Sequence, residues 1–207
     1  MTAQHNGTTN SVNGHSQNGA PQTIKVKSPI SLAHVVLRTS NYEPMVQFWQ
    51  AFLGAEISFK GDQLAFLRYD DEHHRIAIIN VPGTGPKVPT SAGLEHIAFT
   101  FETLDDLTES YLQRKALGMM PCWCTNHGPT TSIYYRDPDG NRIETQVDNF
   151  DTVDEANAFM AGPLYRENPI GTDFDPEDMI KRLKAGEDHR SIKTRVEIGK
   201  RSLPEDF

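Results

Sequence analysis

Between His127 and Glu144 the chain sets a histidine, a tyrosine and a carboxylate around a tight turn: His127-Gly-Pro-Thr-Thr-Ser-Ile-Tyr134-Tyr-Arg-Asp137-Pro138-Asp139-Gly140-Asn-Arg-Ile-Glu144. Imidazole and phenol move protons, and a carboxylate accepts them or holds a metal. Residues 133–136 and 142–147 alternate as strands do, and Asp-Pro-Asp-Gly is turn chemistry, so the stretch predicts a hairpin. Tyr134 and Glu144 are an even number of residues apart, but the turn between them leaves their faces open. A carboxylate on a strand between Ile143 and Val147 is expensive to bury unless it meets a cation or a metal. Asp137 is expected to be an acceptor that stabilises the turn, and of the adjacent Tyr134 and Tyr135 one should face the cavity and the other the outer layer; the spacing to Glu144 favours Tyr134 inside.

Two further histidines open apolar strands, Leu32-Ala-His34-Val-Val-Leu and Leu94-Glu-His96-Ile-Ala-Phe. A helical pattern follows each and ends at Leu-Gly: residues 43–53, with Pro44 in the first turn and Gly54 as the C-terminal cap, and residues 103–117, with Thr103 as N-cap. His34 precedes Leu53 by 19 residues and His96 precedes Leu117 by 21, so the two units run nearly in register. Three strand-like runs complete each unit, at 55–59, 64–69 and 75–81, then at 119–125, 131–136 and 142–147. The chain thus reads as an α+β fold of two paired βαβββ modules forming one open, barrel-like site. Neither module is long enough to bury much core alone, so the two must pack together.

If the modules face each other about a pseudo-twofold axis, His34 and His96 come together and Glu144 completes a face. Two histidines and one carboxylate leave about three open positions, the arrangement of non-haem Fe(II) enzymes that bind substrate and O2 side by side. The position mirroring Glu144 in the first module falls within Ile76-Ala-Ile-Ile-Asn80-Val, apolar apart from Asn80, so no second carboxylate closes the site.

The rest of the composition bounds the function. The chain has 207 residues, 37% hydrophobic, with no apolar run long enough to span a membrane, and a net charge of −8 argues against nucleic acid or anionic membrane as partner. Cys122 and Cys124, the only cysteines, are expected to be core thiols in a reducing, cytoplasmic compartment. Residues 1–28 are polar and aperiodic and are expected to be a disordered arm; residues 29–148 form the domain, as modules 31–81 and 93–148. Residues 149–207 form an extension with helices at 153–161 and 176–185 and a charged, loose last stretch that includes a solvated His189. Phe150, Phe159, Leu164, Tyr165, Ile170 and Phe174 are too many to leave in water, so the extension should dock on the domain or on a second subunit of a homo-oligomer.

The doubled strand-helix-strand unit resembles the vicinal-oxygen-chelate superfamily, which holds glyoxalase I, bleomycin-resistance proteins and the type I extradiol catechol dioxygenases. Thr125-x-His127, Tyr134, Asp137-Pro138-x-Gly140 and Glu144 match the extradiol signature throughout. The resemblance covers residues 30–148 and is to the small single-domain members. It implies His34, His96 and Glu144 as ligands of Fe(II), with Mn(II) as the alternative, and a small aromatic diol and O2 as substrates. In Glu72-His73-His74-Arg75-Ile76 it implies His74 as a base, with His73 turned outward. The gap from His74 to His96 is longer than the family's and contains Pro82-Gly-Thr-Gly-Pro86-Lys-Val-Pro89. By the same resemblance His127 donates a hydrogen bond to a bound oxygen and Tyr134 orients the catecholate. Phe66, Trp123 and Pro129 are expected to wall the pocket. The competing readings are a glyoxalase-type metal isomerase, disfavoured by the missing second carboxylate, and a metal-free binding protein, which would need none of these groups.

Overall fold

The computed structural model describes residues 25–204. The chain divides into two units, Met1–Leu32 and Ala33–Phe207. Of the first, residues 25–32 are described, all exposed and in neither helix nor strand. Most of the expected disordered arm lies outside the described residues. All that follows concerns the second unit.

The first module runs β1 (Val35–Thr39), α1 (Tyr42–Leu53), β2 (Glu56–Lys60), β3 (Leu64–Arg68) and β4 (Ile76–Asn80), and its sheet has the order β1-β4-β3-β2. The second runs β5 (His96–Thr100), α2 (Leu104–Ala116), β6 (Trp123–Asn126), β7 (Thr130–Arg136) and β8 (Arg142–Asp148), in the order β5-β8-β7-β6. In each, the first strand lies parallel to the last and the others pair antiparallel, so the two modules repeat one topology. They form two open sheets, not a closed barrel.

The sequence punctuation acts as read. Gly54 ends α1 at φ 59°, a left-handed conformation that favours glycine. Thr103 caps α2 by accepting from the Asp106 N–H, while the Asp106 side chain accepts from the Thr103 N–H. One expected strand starts late. Residues 119–122 stay out of β6 because the Met119 N–H returns to the Arg114 carbonyl at the end of α2, and Pro121 has no N–H to offer. Cys122 is consequently exposed, not a core thiol, whereas Cys124 packs against the core.

The extension is built rather than loose. It contains α3 (Val153–Ala161), α4 (Pro163–Glu167), β9 (Thr172–Asp173), α5 (Pro176–Lys184) and α6 (His189–Lys193). β9 pairs antiparallel with β6 and covers that edge of the second sheet. Met179, Ile180 and Ile192 join the core of the two modules. The last stretch, expected to be loose, is pinned by the Thr172 hydroxyl on the Val196 carbonyl at 2.6 Å and by Arg201 on Asp173 at 2.5 Å. His189, expected to be solvated, keeps 44% of its side chain exposed and lies 3.3 Å from the exposed Asp105. No helix among the described residues is long and apolar enough to cross a membrane.

α1 buries Tyr42, Met45, Val46, Trp49 and Phe52, one stripe at helical spacing. From α2 the buried Arg114 donates to the Phe52 carbonyl near the end of α1, at 3.0 and 2.8 Å, and lies 4.0 Å over the Phe52 ring. It thereby satisfies a helix-end carbonyl that no backbone N–H reaches in the interior. Phe52 packs edge-on against Tyr135 of β7 at 5.1 Å, and the Trp49 indole donates to Asp137 at 3.2 Å. The two modules are therefore joined by one guanidinium, one indole and a shared apolar core.

Arg114→Met keeps the volume but strands the Phe52 carbonyl in the core. It should lower unfolding free energy by about 1–3 kcal/mol in urea titrations, the cost of a buried acceptor left unmet.

Candidate active site

The register of the second sheet decides what sequence parity leaves open. Tyr134 lies directly across from Glu144, Trp123 from Tyr134, and Ala98 from Glu144, so one row runs across four strands. Cross-strand partners share a face, and so do residues two apart on a strand. Trp123, Tyr134, Glu144, His96 and Ser132 therefore present to the same side, while Tyr135 points into the core beside Phe52.

Glu144 is 5% exposed, and His96 Nε2 stands 3.0 Å from its Oε2. Burial pushes the Glu144 carboxyl up, but hydrogen bonds from His96 and Ser132 outweigh it and hold the group below its ordinary value. His96 is raised, first by its hydrogen bond to Glu144. Its Nδ1 meets the Glu95 carboxylate, which also binds Arg142. A histidine whose second nitrogen is held by a carboxylate is the usual form of a metal-ligating imidazole.

His127 leads the turn from β6 to β7, and its N–H donates to the Thr130 carbonyl at 2.9 Å. Gly128 makes the turn possible at φ 101°, with the Asn126 side chain accepting its N–H. The imidazole is not spent on capping: Nε2 is 2.9 Å from the Tyr134 hydroxyl and Nδ1 is 2.6 Å from the Ile170 carbonyl. Burial lowers the His127 pKa, so the ring is neutral near pH 7. Burial, then the charge of Glu144 and a hydrogen bond to its carboxylate, push the Tyr134 phenol well above its ordinary value. Trp123 stacks on Tyr134 at 4.9 Å and donates to Asp173 at 2.6 Å.

The first module contributes a second group. His34 immediately precedes β1, and its ring centre is 4.4 Å from that of His74. His74 is buried and stacked on Phe66 at 4.2 Å, and desolvation followed by the neighbouring histidines lowers its pKa. His73 is exposed and its Nδ1 meets that of His74. The two lie in the loop before β4, so loop geometry and not strand alternation separates them. Asp137 accepts from Trp49, from the N–H groups of Asp139 and Asn141 and from the Asn141 amide, as a turn acceptor does.

The structure thus brings His96, Glu144, Tyr134 and His127 together, and separately His34 with His74. Among the described residues no three His, Cys, Asp or Glu side chains converge as a ready ligand group. Ser132 under Glu144, Glu95 behind His96 and the Ile170 carbonyl behind His127 were not read from the sequence. Ser132 shares its parity with Tyr134 and was open to that inference; the other two depend on tertiary placement.

Residues 31–145 match the family described as the glyoxalase/bleomycin resistance protein/dioxygenase superfamily. The chain belongs to this superfamily. It is 46% identical over 155 residues to biphenyl-2,3-diol 1,2-dioxygenase 2 of Rhodococcus globerulus, covering 74% of this chain and 82% of that one. It is 43% identical over 167 residues to biphenyl-2,3-diol 1,2-dioxygenase 3 of the same organism, covering 80% and 88%. In fold it is similar to a glyoxylase/bleomycin resistance protein/dioxygenase domain from Frankia sp. EAN1pec, with TM-score 0.50 and 19% identity over 58% of this chain and 99% of that one. Within the superfamily's doubled module, the pairing identifies the twin of Glu144. Ala98 pairs with Glu144, and the equivalent Val36 pairs with Ala77. A methyl group stands where a second carboxylate would be.

A Cβ on Gly128 would lie 2.2 Å from Phe159 of α3 and would need a left-handed backbone. Gly128→Ala should cost about 1–3 kcal/mol and lower Tm in a thermal unfolding scan.

Proposed function

We propose that the chain is a non-haem Fe(II)-dependent extradiol dioxygenase that opens a catecholic ring with O2. The observation that carries this reading is the row Trp123–Tyr134–Glu144, with His96 and His127 against it, in a chain so similar to two biphenyl-diol dioxygenases.

The donor set fits a metal. With Nδ1 held by Glu95, His96 Nε2 faces a buried carboxylate oxygen at 3.0 Å, a contact that needs a proton on the ring nitrogen or a cation in that proton's place. A separation of about 3 Å is also what two neighbouring ligands about 2.1 Å from one cation show. His96 and Glu144 would hold the metal with His34, which stands at the head of the repeat-equivalent strand. Nitrogen and oxygen donors of this kind suit Fe(II) and accept Mn(II). When bound, the metal supplies a Lewis acid and a template for the two diol oxygens and O2.

The chain's own groups supply the rest. His74, buried against Phe66, is placed to take the proton of a substrate hydroxyl. Tyr134 presents its hydroxyl beside Glu144 and orients the diol, and Phe66 and Trp123 offer aromatic surface for its ring. Cleavage beside the diol yields a ring-opened semialdehyde or keto acid. Ala77 weighs against the isomerase reading, since it provides neither a further ligand nor a base.

Replacing His34, His96 or Glu144 with alanine should reduce iron per subunit, measured by elemental analysis, while far-UV dichroism stays folded. His74→Gln should keep the metal and slow turnover by about 10²-fold or more. Full iron stoichiometry in any ligand variant would overturn that assignment.

A panel of substituted catechols, given anaerobically to the Fe(II)-loaded protein and then exposed to O2, should give oxygen uptake and a coloured ring-cleaved product from at least one. Turnover of a hemithioacetal without oxygen uptake on any catechol would establish the isomerase instead.

A further inference from the structure

The extension beyond the family match reaches the candidate site at one atom. The Ile170 carbonyl lies 2.6 Å from His127 Nδ1. A carbonyl oxygen only accepts, so Nδ1 carries the proton. On a neutral ring Nε2 is then a bare acceptor, 2.9 Å from the Tyr134 hydroxyl, whose single proton it shares with the Glu144 carboxylate.

That carbonyl is held with unusual completeness. Asn168 is fully buried, and its Oδ1 accepts from the N–H groups of Ile170 at 3.2 Å and Gly171 at 2.8 Å. Its Nδ2 donates to the Gly171 carbonyl at 3.0 Å. Gly171 sits at φ 108° with its Cα against the Asn126–His127 backbone, where a Cβ would come within 2.4 Å of the Asn126 carbonyl oxygen. Arg195, 7% exposed, donates to the Asn168 carbonyl at 2.7 Å and to the His127 carbonyl at 3.0 Å. One guanidinium thus ties the loop that carries Ile170 to the turn that carries His127.

We propose that residues 168–171 and Arg195 are a positioning device that locks His127 in its Nδ1–H tautomer, making Nε2 the proton acceptor for Tyr134. Asn168 and Arg195 are its positioning residues. This deepens the dioxygenase reading and rests on it for the catalytic consequence alone. It also revises the expected role of His127: toward Tyr134 the ring accepts, and it donates only after taking a proton.

The tautomer is read directly by long-range 1H–15N spectra of the full chain labelled with 15N-histidine, without added metal, at neutral pH. The His127 signals are assigned by their loss in His127→Gln. The parent should show a protonated, pyrrole-type Nδ1 and a bare, pyridine-type Nε2. An Nε2–H tautomer in the parent overturns the proposal, and this measurement needs no variant of the loop. Asn168→Ala should turn His127 into a tautomer mixture, whereas Asn168→Ser, which retains an acceptor, should restore much of the parent pattern; an unchanged His127 tautomer in folded Asn168→Ala overturns it. In the Fe(II)-loaded enzyme Asn168→Ala should keep its iron and its KM within about twofold while kcat falls about 10-fold or more. In a His127→Gln background the same substitution should cost nothing further, because both act through one ring. Additive losses would mean that Asn168 acts structurally. If the parent cleaves no catechol, the dioxygenase reading fails, while the spectra still decide the tautomer.

Discussion

Two short modules, neither able to close a core, must be held in one fixed relation, and a buried guanidinium does much of that work. Arg114 reaches from one module's helix to a single carbonyl near the end of the other's, that of Phe52, and lies over the Phe52 ring. A charge in that position is tolerable only because each donor direction finds an acceptor or a ring face. Trp49 of α1 adds a second tie, running the other way, to the Asp137 turn that joins β7 and β8. The hairpin bearing Tyr134 and Glu144 is thereby fixed from behind, through the core, by residues of the other half.

Precision on the site side is distributed unevenly. Tyr134 and Glu144 stand opposite each other on central strands, so backbone pairing fixes their separation. His96 begins a strand, and a flanking carboxylate orients it. His34 and His74 lie just before strands, where neighbouring rings rather than ladders set their geometry. His127 sits on a turn and depends on contacts from a segment more than forty residues away. The strand-borne groups are preorganised, and the loop-borne ones are positioned by whatever packs on them.

The sequence was most informative where local chemistry decides structure. Both helices, their caps, the hairpin and the repeat followed from Gly54, Thr103, the Asp-Pro-Asp-Gly turn and apolar periodicity, because these act within a few residues. That Tyr134 faces the site and Tyr135 the opposite, core layer followed from alternation once Glu144 was given weight. What escaped is non-local. The ordering of the final stretch rests on Arg195 and Arg201, whose partners include distant carbonyls and an aspartate as well as the nearby Glu197, and a charge-rich segment reads as solvated until such distant partners are known. Met119 was lost from its strand to a helix-end hydrogen bond, which hydrophobic pattern does not register. The face-to-face meeting of His34 with His96 was a symmetry argument, and the contact of His34 with the ring of His74 is one that symmetry does not foretell.

Symmetry is also broken at Ala77, and its smallness has a use. Across the ladder from this methyl stands Phe66, whose ring lies on His74. A longer side chain at 77 would compete for that space and bring charge to a surface meant for carbon. The two halves share one plan but differ at this position: one keeps an acid, the other a methyl with an aromatic ring across from it. An asymmetric cradle of this sort has a definite head and tail. Whatever lies between the halves meets a carboxylate at one of the twin positions and, at the other, a methyl backed by a ring, a difference set by a residue too small to reach far itself.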